Sequence, residues 1–95
     1  MAKIVEKFQT IHPDGLKSPN IEKAKYEQMR TAILQLLSEH AEIGFSDAMR
    51  EIERRLQGKF EGKINWYYTI VKLDLEGRGE LIRIAGSGRQ MMRKA

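Results

Sequence analysis

The residues best placed to do chemistry in this chain are cations near its end. Arg78, Arg83, Arg89, Arg93 and Lys94 stand in residues 77–95 against Glu80 alone, whereas residues 1–76 carry 12 Lys or Arg and 12 Asp or Glu. The whole formal charge of +4 therefore sits in the last fifth of the sequence. Guanidinium forks match phosphate oxygens, so such a strip can face nucleic-acid backbone, and a solvated basic tail is the plainer reading. The candidate phosphate contacts are Arg83, Arg89, Arg93 and Lys94, joined by Lys63 and Lys72 at the start and on the face of an upstream helix and by Thr69 on the same face.

Other chemistry-bearing residues are weaker candidates. Trp66, Tyr67 and Tyr68 could stack on unpaired bases, but their helical placement points first to a core. Asp74 falls in the apolar sector of the same helix. A buried carboxylate needs an Arg, Lys, Tyr hydroxyl or backbone donor beside it, so it reads as a polar anchor before it reads as a functional group. His12 and His40 have no partner at metal-ligand spacing, and no nucleophile is set beside a base. The Gly-Ser-Gly at 86–88 lacks the following helix that a phosphate loop requires and fits a turn better. The expectation is a binding protein, with no enzyme activity and no cofactor or metal.

These residues have to be held by elements, and 95 residues with 41% hydrophobic content make one core plausible. Cysteine is absent, which suits a reducing cytoplasm. No apolar run approaches the roughly 18 residues that cross a bilayer, and MAKIVEKFQT lacks a signal-peptide core, so no membrane association is expected. Residues 1–20 read as an N-terminal arm: an extended, partly apolar KIVEKFQTI, then HPDG and SPN turn chemistry. Asn20 is the expected N-cap of a helix over about 21–39, with Tyr26, Met29, Ile33, Leu36 and Leu37 as its apolar stripe. Ser46 is the expected cap of a second helix carrying Ala48, Met49, Ile52 and Leu56, with Phe45 just outside it. The third helix begins near Ile64 and ends at Gly77 or Gly79. LIRI then reads as a strand, GSGRQ as a turn and MMRKA as a return strand. The expected fold is mainly α (α+β): a domain over 21–95 with three helices, a C-terminal hairpin and a basic tail.

The order of helix, short-loop helix, third helix ending LEGRG, apolar LIRI and glycine-rich tip resembles winged helix-turn-helix domains. In the first helix KAKYEQMRTAIL, and in the third WYYTIVKLDLEGRG, resemble a family of small bacterial proteins of uncharacterised function with a Trp-aromatic pair and a Leu-Asp-Leu-Glu run. The likeness covers roughly residues 12–84. It implies a three-helix, winged-helix-like domain with the hairpin as wing. One departure is Glu80, which intervenes between Gly79 and the strand and leaves the wing register open.

The third helix itself argues against simple base reading. At 100° per residue, about 220° of its circumference is apolar, leaving Asn65, Thr69, Lys72 and Glu76 on the polar face. So broad an apolar sector should be covered on two sides, with Ile4, Val5, Phe8 and Ile11 of the arm, or another subunit, over Trp66, Ile70 and Leu73. Asn65, if it caps the helix, is spent on the backbone. Trp66, Tyr68, Val71 and Leu75 are assigned to the core. Two readings of partner follow. One is DNA or another nucleic acid bound through phosphates; the other is a protein partner or a homodimer.

Overall fold

The computed structural model describes residues 5–84 and 88–95. Five short strands and three helices follow one another as β1 (Lys7–Gln9), β2 (Asn20–Glu22), α1 (Lys23–Glu39), β3 (Ile43–Gly44), α2 (Phe45–Leu56), α3 (Ile64–Gly77), β4 (Leu81–Ile84) and β5 (Met91–Lys94). The class is α+β, with three helices, antiparallel strands and a C-terminal hairpin.

The arm is part of the fold. β1 pairs antiparallel with β2, setting Phe8 opposite Ile21 and Gln9 opposite Asn20. Asn20 is therefore held in a strand, opposite Gln9 of the arm, and does not cap a helix. α1 starts at Lys23, whose N–H donates to the Glu6 carbonyl at 2.9 Å, and no side chain caps it. A neighbouring strand thus satisfies a group that a side-chain cap would otherwise serve. The turn between the strands closes on buried Thr10, whose hydroxyl lies 2.6 Å from that of Ser18 and whose N–H reaches the Pro19 carbonyl.

A similar substitution begins α2. Gly44 lies in β3, opposite Met91, and the Phe45 N–H donates to the Gln90 carbonyl at 2.8 Å. Ser46 accordingly sits inside the helix rather than at its cap. β3 makes the hairpin the larger part of a three-stranded sheet in the order β3-β5-β4. Ile43 pairs with Met92, and β4 pairs with β5 as Leu81 with Lys94, Ile82 with Arg93, Arg83 with Met92 and Ile84 with Met91.

α3 begins after Lys63, so Asn65 lies within its first turn and is not the cap. Its end explains Glu80. Gly79 takes φ +76, its N–H donates to the Glu76 carbonyl, and the Glu80 N–H donates back to Leu75 at 2.9 Å. This is the paired-bond stop in which a left-handed residue lets two orphan carbonyls be satisfied, and Glu80 supplies its second bond before the strand starts.

The core takes Met29, Ile33, Leu36 and Leu37 from α1, Ala48, Ile52 and Leu56 from α2, and Tyr68, Val71 and Leu75 from α3. Leu81 and Met92 close it from the sheet. Each of the Val, Leu, Ile and Met side chains among them contributes roughly 1.5–3 kcal/mol by leaving water. Trp66 is not among them: it is 45% exposed, because α3 meets α1 and α2 with the opposite side of its circumference. Among the described residues, the arm packs elsewhere. Phe8 stacks instead on Tyr26, with ring centroids 3.9 Å apart, and Ile11 packs beside Gly77. Val5 and Ile11 remain partly exposed, and Ile4 lies outside the described residues.

Candidate nucleic-acid interface

The sequence nominates Lys63, Thr69, Lys72, Arg83, Arg89, Arg93 and Lys94, and the structure places them very differently. Arg83 and Arg93 are exposed on the hairpin. Side chains alternate along a strand and paired residues share a face, so Arg83 stands on the side of Leu81 and Met92 and Arg93 on the side of Ile82. The two arginines thus leave opposite faces of one ribbon. Lys94 is exposed at the end of β5, opposite Leu81, and its carbonyl accepts from the Arg93 guanidinium at 3.1 Å. Lys63 is exposed at the N-terminal boundary of α3.

Lys72 is a correction. It is 1% exposed, its ammonium donates to Glu76 at 2.9 Å, and it lies 5.5 Å from the Phe45 ring centroid. Its apolar stem is covered where α2 packs on α3, and its charge is spent within the protein, so it does not face a ligand. Thr69 is half-buried, and its hydroxyl donates to the Asn65 carbonyl one turn earlier at 3.0 Å. Arg89 is exposed but donates to Asp47 at 2.8 Å, a carboxylate that also accepts from Arg50. Gly86 and Ser87 of the expected glycine turn lie outside the described residues.

The rest of the arginines are occupied. Arg30 pairs with Glu80, Arg54 with Glu51, Arg55 with both Glu39 and Glu51, and Arg78 with Asp74. Hydrogen bonds from Arg54 and Arg55 bring the half-buried Glu51 carboxyl down to about 2. Of the eight arginines in the chain, Arg83 and Arg93 are the two with no carboxylate partner among the described residues. Arg78 and Arg89, which enlarged the C-terminal charge excess on paper, are neutralised in space.

Asp74 is fully buried and has the donors that its position demanded. The Tyr26 hydroxyl and the Arg78 Nε, at 2.9 Å, donate to Oδ2, and the Ile11 N–H donates to Oδ1 at 2.8 Å. Burial, and secondarily the Asp74 carboxylate, holds the Tyr26 hydroxyl well above its ordinary pKa. Arg78 also lies 4.9 Å from the Phe8 ring centroid. One carboxylate thereby ties the arm, α1 and α3 together, and the arrangement is that of an anchor. His12 accepts from the Asp14 N–H at 3.1 Å, and His40 is the residue after α1. Among the described residues no three His, Asp or Glu side chains gather to hold a metal ion. Nor is any helix there long and apolar enough to cross a membrane.

With the hairpin attached to the helices through β3 and the arm fixed on Asp74, comparison with known families has a defined object. A family of unknown function, DUF6958, has a model that matches residues 7–91. The chain belongs to this family. The match to DUF6958 runs from the first residue of β1 to the first residue of β5, and so takes in the arm as well as the three helices. No curated protein and no solved structure matches the chain.

Proposed function

We propose that the chain is a winged-helix-like module that docks on nucleic acid through phosphates, with β4–β5 as the wing. One observation carries the reading: the two arginines without a carboxylate partner among the described residues, Arg83 and Arg93, both stand on that hairpin. An exposed guanidinium with no internal carboxylate is available to a phosphate at little desolvation cost, and Arg93 gives up only its bond to the Lys94 carbonyl. Arg83 and Lys94 share one face of the ribbon and Arg93 stands on the other, so phosphates can be met from either side of it. Sequence preference is slight in this reading, because the outward side of α3 carries few groups that bond base edges. The proposal assigns a binding role and no reaction, and a cytoplasmic setting belongs to it.

The test is fluorescence anisotropy with labelled oligonucleotides, comparing R83Q/R93Q with R50Q/R54Q. Both variants lose two positive charges, but Arg50 and Arg54 are already paired on α2. The reading expects at least a tenfold loss of affinity for the first and less than a twofold loss for the second. Equal losses would reduce the effect to net charge and refute a hairpin site.

A second reading, a protein-interaction or self-associating domain, draws on a separate feature. The outward side of α3 shows exposed Trp66 with half-buried Ile70 and Leu73, and Val5, Ile11 and Leu16 of the arm are also exposed. Such surface can meet another chain. Sedimentation across a wide concentration range tests it, and a monomer throughout removes self-association.

A further inference from the structure

We infer that the nucleic acid bound by this chain is single-stranded, with an unpaired base stacked on the indole of Trp66. The inference rests on the phosphate-binding reading above and specifies the ligand class.

Trp66 is the single tryptophan of the chain and is 45% exposed in a helix that otherwise builds the core. Its ring is braced. Tyr67 meets it at 4.9 Å and 83°, an edge-to-face contact that uses at most one face of the indole. Tyr67 is itself held by Phe60, at 5.1 Å and 68°, and by Lys25 at 5.5 Å from the ring centroid. An aromatic face is therefore presented to solvent from a supported position.

The surroundings favour a polyanion. Lys63 is exposed one turn before Trp66, and the first turn of α3 contains no acidic residue. Glu61 is the nearest acid preceding Lys63 in the chain. Beyond the helix, Arg83 and Arg93 are the arginines left for phosphates.

The same helix is poorly made for a duplex. Reading base edges in a groove takes hydrogen-bonding side chains on the outward side. Apart from exposed Asn65 in the first turn, that side shows Trp66, Ile70, Leu73 and Gly77, while the Thr69 hydroxyl is bonded to the Asn65 carbonyl and Lys72 is buried. An indole cannot stack on a base already stacked within a duplex. An unpaired base offers its π-face freely, and loss of one such contact costs roughly 5- to 150-fold in affinity.

Trp66 also supplies the probe. The full chain is titrated at low salt with a labelled oligothymidylate, an oligouridylate and a hairpin duplex, reading Trp66 fluorescence and oligonucleotide anisotropy together. The expected result is quenching by a single strand, deoxyribose or ribose, with at least tenfold tighter binding than the duplex. Trp66→Ala should then weaken single-strand binding by roughly 5- to 150-fold and leave duplex binding within twofold, and Trp66→Phe should restore much of the loss. Circular dichroism confirms that these surface variants fold. Salt-sensitive binding that is as tight for duplex as for single strand, or that ignores Trp66→Ala, overturns this inference and leaves the phosphate reading standing. No binding to any of the three overturns both. A dimer that Trp66→Ala converts to monomer assigns the indole to a protein interface and also overturns it.

Discussion

Removing the Asp74 carboxylate should cost as much as emptying a core position, and the structure gives its size. Asp74→Ala leaves the Tyr26 hydroxyl and the Ile11 N–H without their acceptor, in a place where Asp74 itself is fully buried. An orphaned buried donor costs about 1–3 kcal/mol. The Arg78 side chain is 35% exposed and can turn to water, so its lost ion pair adds only a fraction of what a sealed pair would. The expected loss is about 3–5 kcal/mol, within the range for breaking a buried pair from one side. In a domain of this size that lowers Tm by about 12–40 °C. The assay is urea unfolding followed by far-UV circular dichroism, where the midpoint should fall at unchanged m. Tyr26→Phe alone removes one of three donors and should cost about 1 kcal/mol. In the double variant no hydroxyl is orphaned, so the loss should fall short of the sum of the singles by about 1 kcal/mol. A loss below about 1 kcal/mol for Asp74→Ala, or strict additivity, would refute the anchoring role.

Three further outcomes follow from other parts of the molecule. Lys72→Met should lower stability by about 1–3 kcal/mol, because Glu76 loses its partner, yet leave the salt dependence of nucleic-acid binding unchanged; urea unfolding and anisotropy check the two halves. Gly79→Ala meets no atom within 4 Å but must hold φ +76, so its cost should be the left-handed strain of about 1 kcal/mol, read as a shift in urea midpoint. Glu51 has its folded pKa depressed to about 2. Its contribution to stability is therefore present above the unfolded value of about 4.3 and lost as pH falls through the folded one. Carbon-13 NMR of the side-chain carboxyl should place its midpoint near 2, and a midpoint above about 4 would deny the pairing with Arg54 and Arg55.

The sequence made the helices legible wherever apolar residues recur at three and four. Tyr26, Met29, Ile33, Leu36 and Leu37 are all buried, as their spacing predicts. The same spacing cannot say which part of a broad apolar sector meets a neighbour, so it groups Trp66 with Tyr68, Val71 and Leu75 in the core while the structure leaves it exposed. β3 has two residues, too few to show alternation, and its presence is decided by β5, some 48 residues later. Asn20 and Ser46 carry sound local cap chemistry, but carbonyls from Glu6 and Gln90 reach the helix starts first. Asp74 was legible because a carboxylate in an apolar sector must find donors. The burial of Lys72 under Phe45 and the capture of Arg89 by Asp47 were not, since both depend on which elements pack together.

The central claim is that the hairpin holds phosphates, and the dependence of binding on salt tests it most directly. Each phosphate neutralised contributes a slope of about −0.7 on a single strand and −0.9 on a duplex in a plot of log affinity against log salt. Lys63, Arg83, Arg93 and Lys94 together predict a slope of roughly −3. R83Q/R93Q should flatten it by about 1.4 to 1.8. A slope that is near zero in the unsubstituted chain, or that is unchanged by the double substitution, would contradict the account.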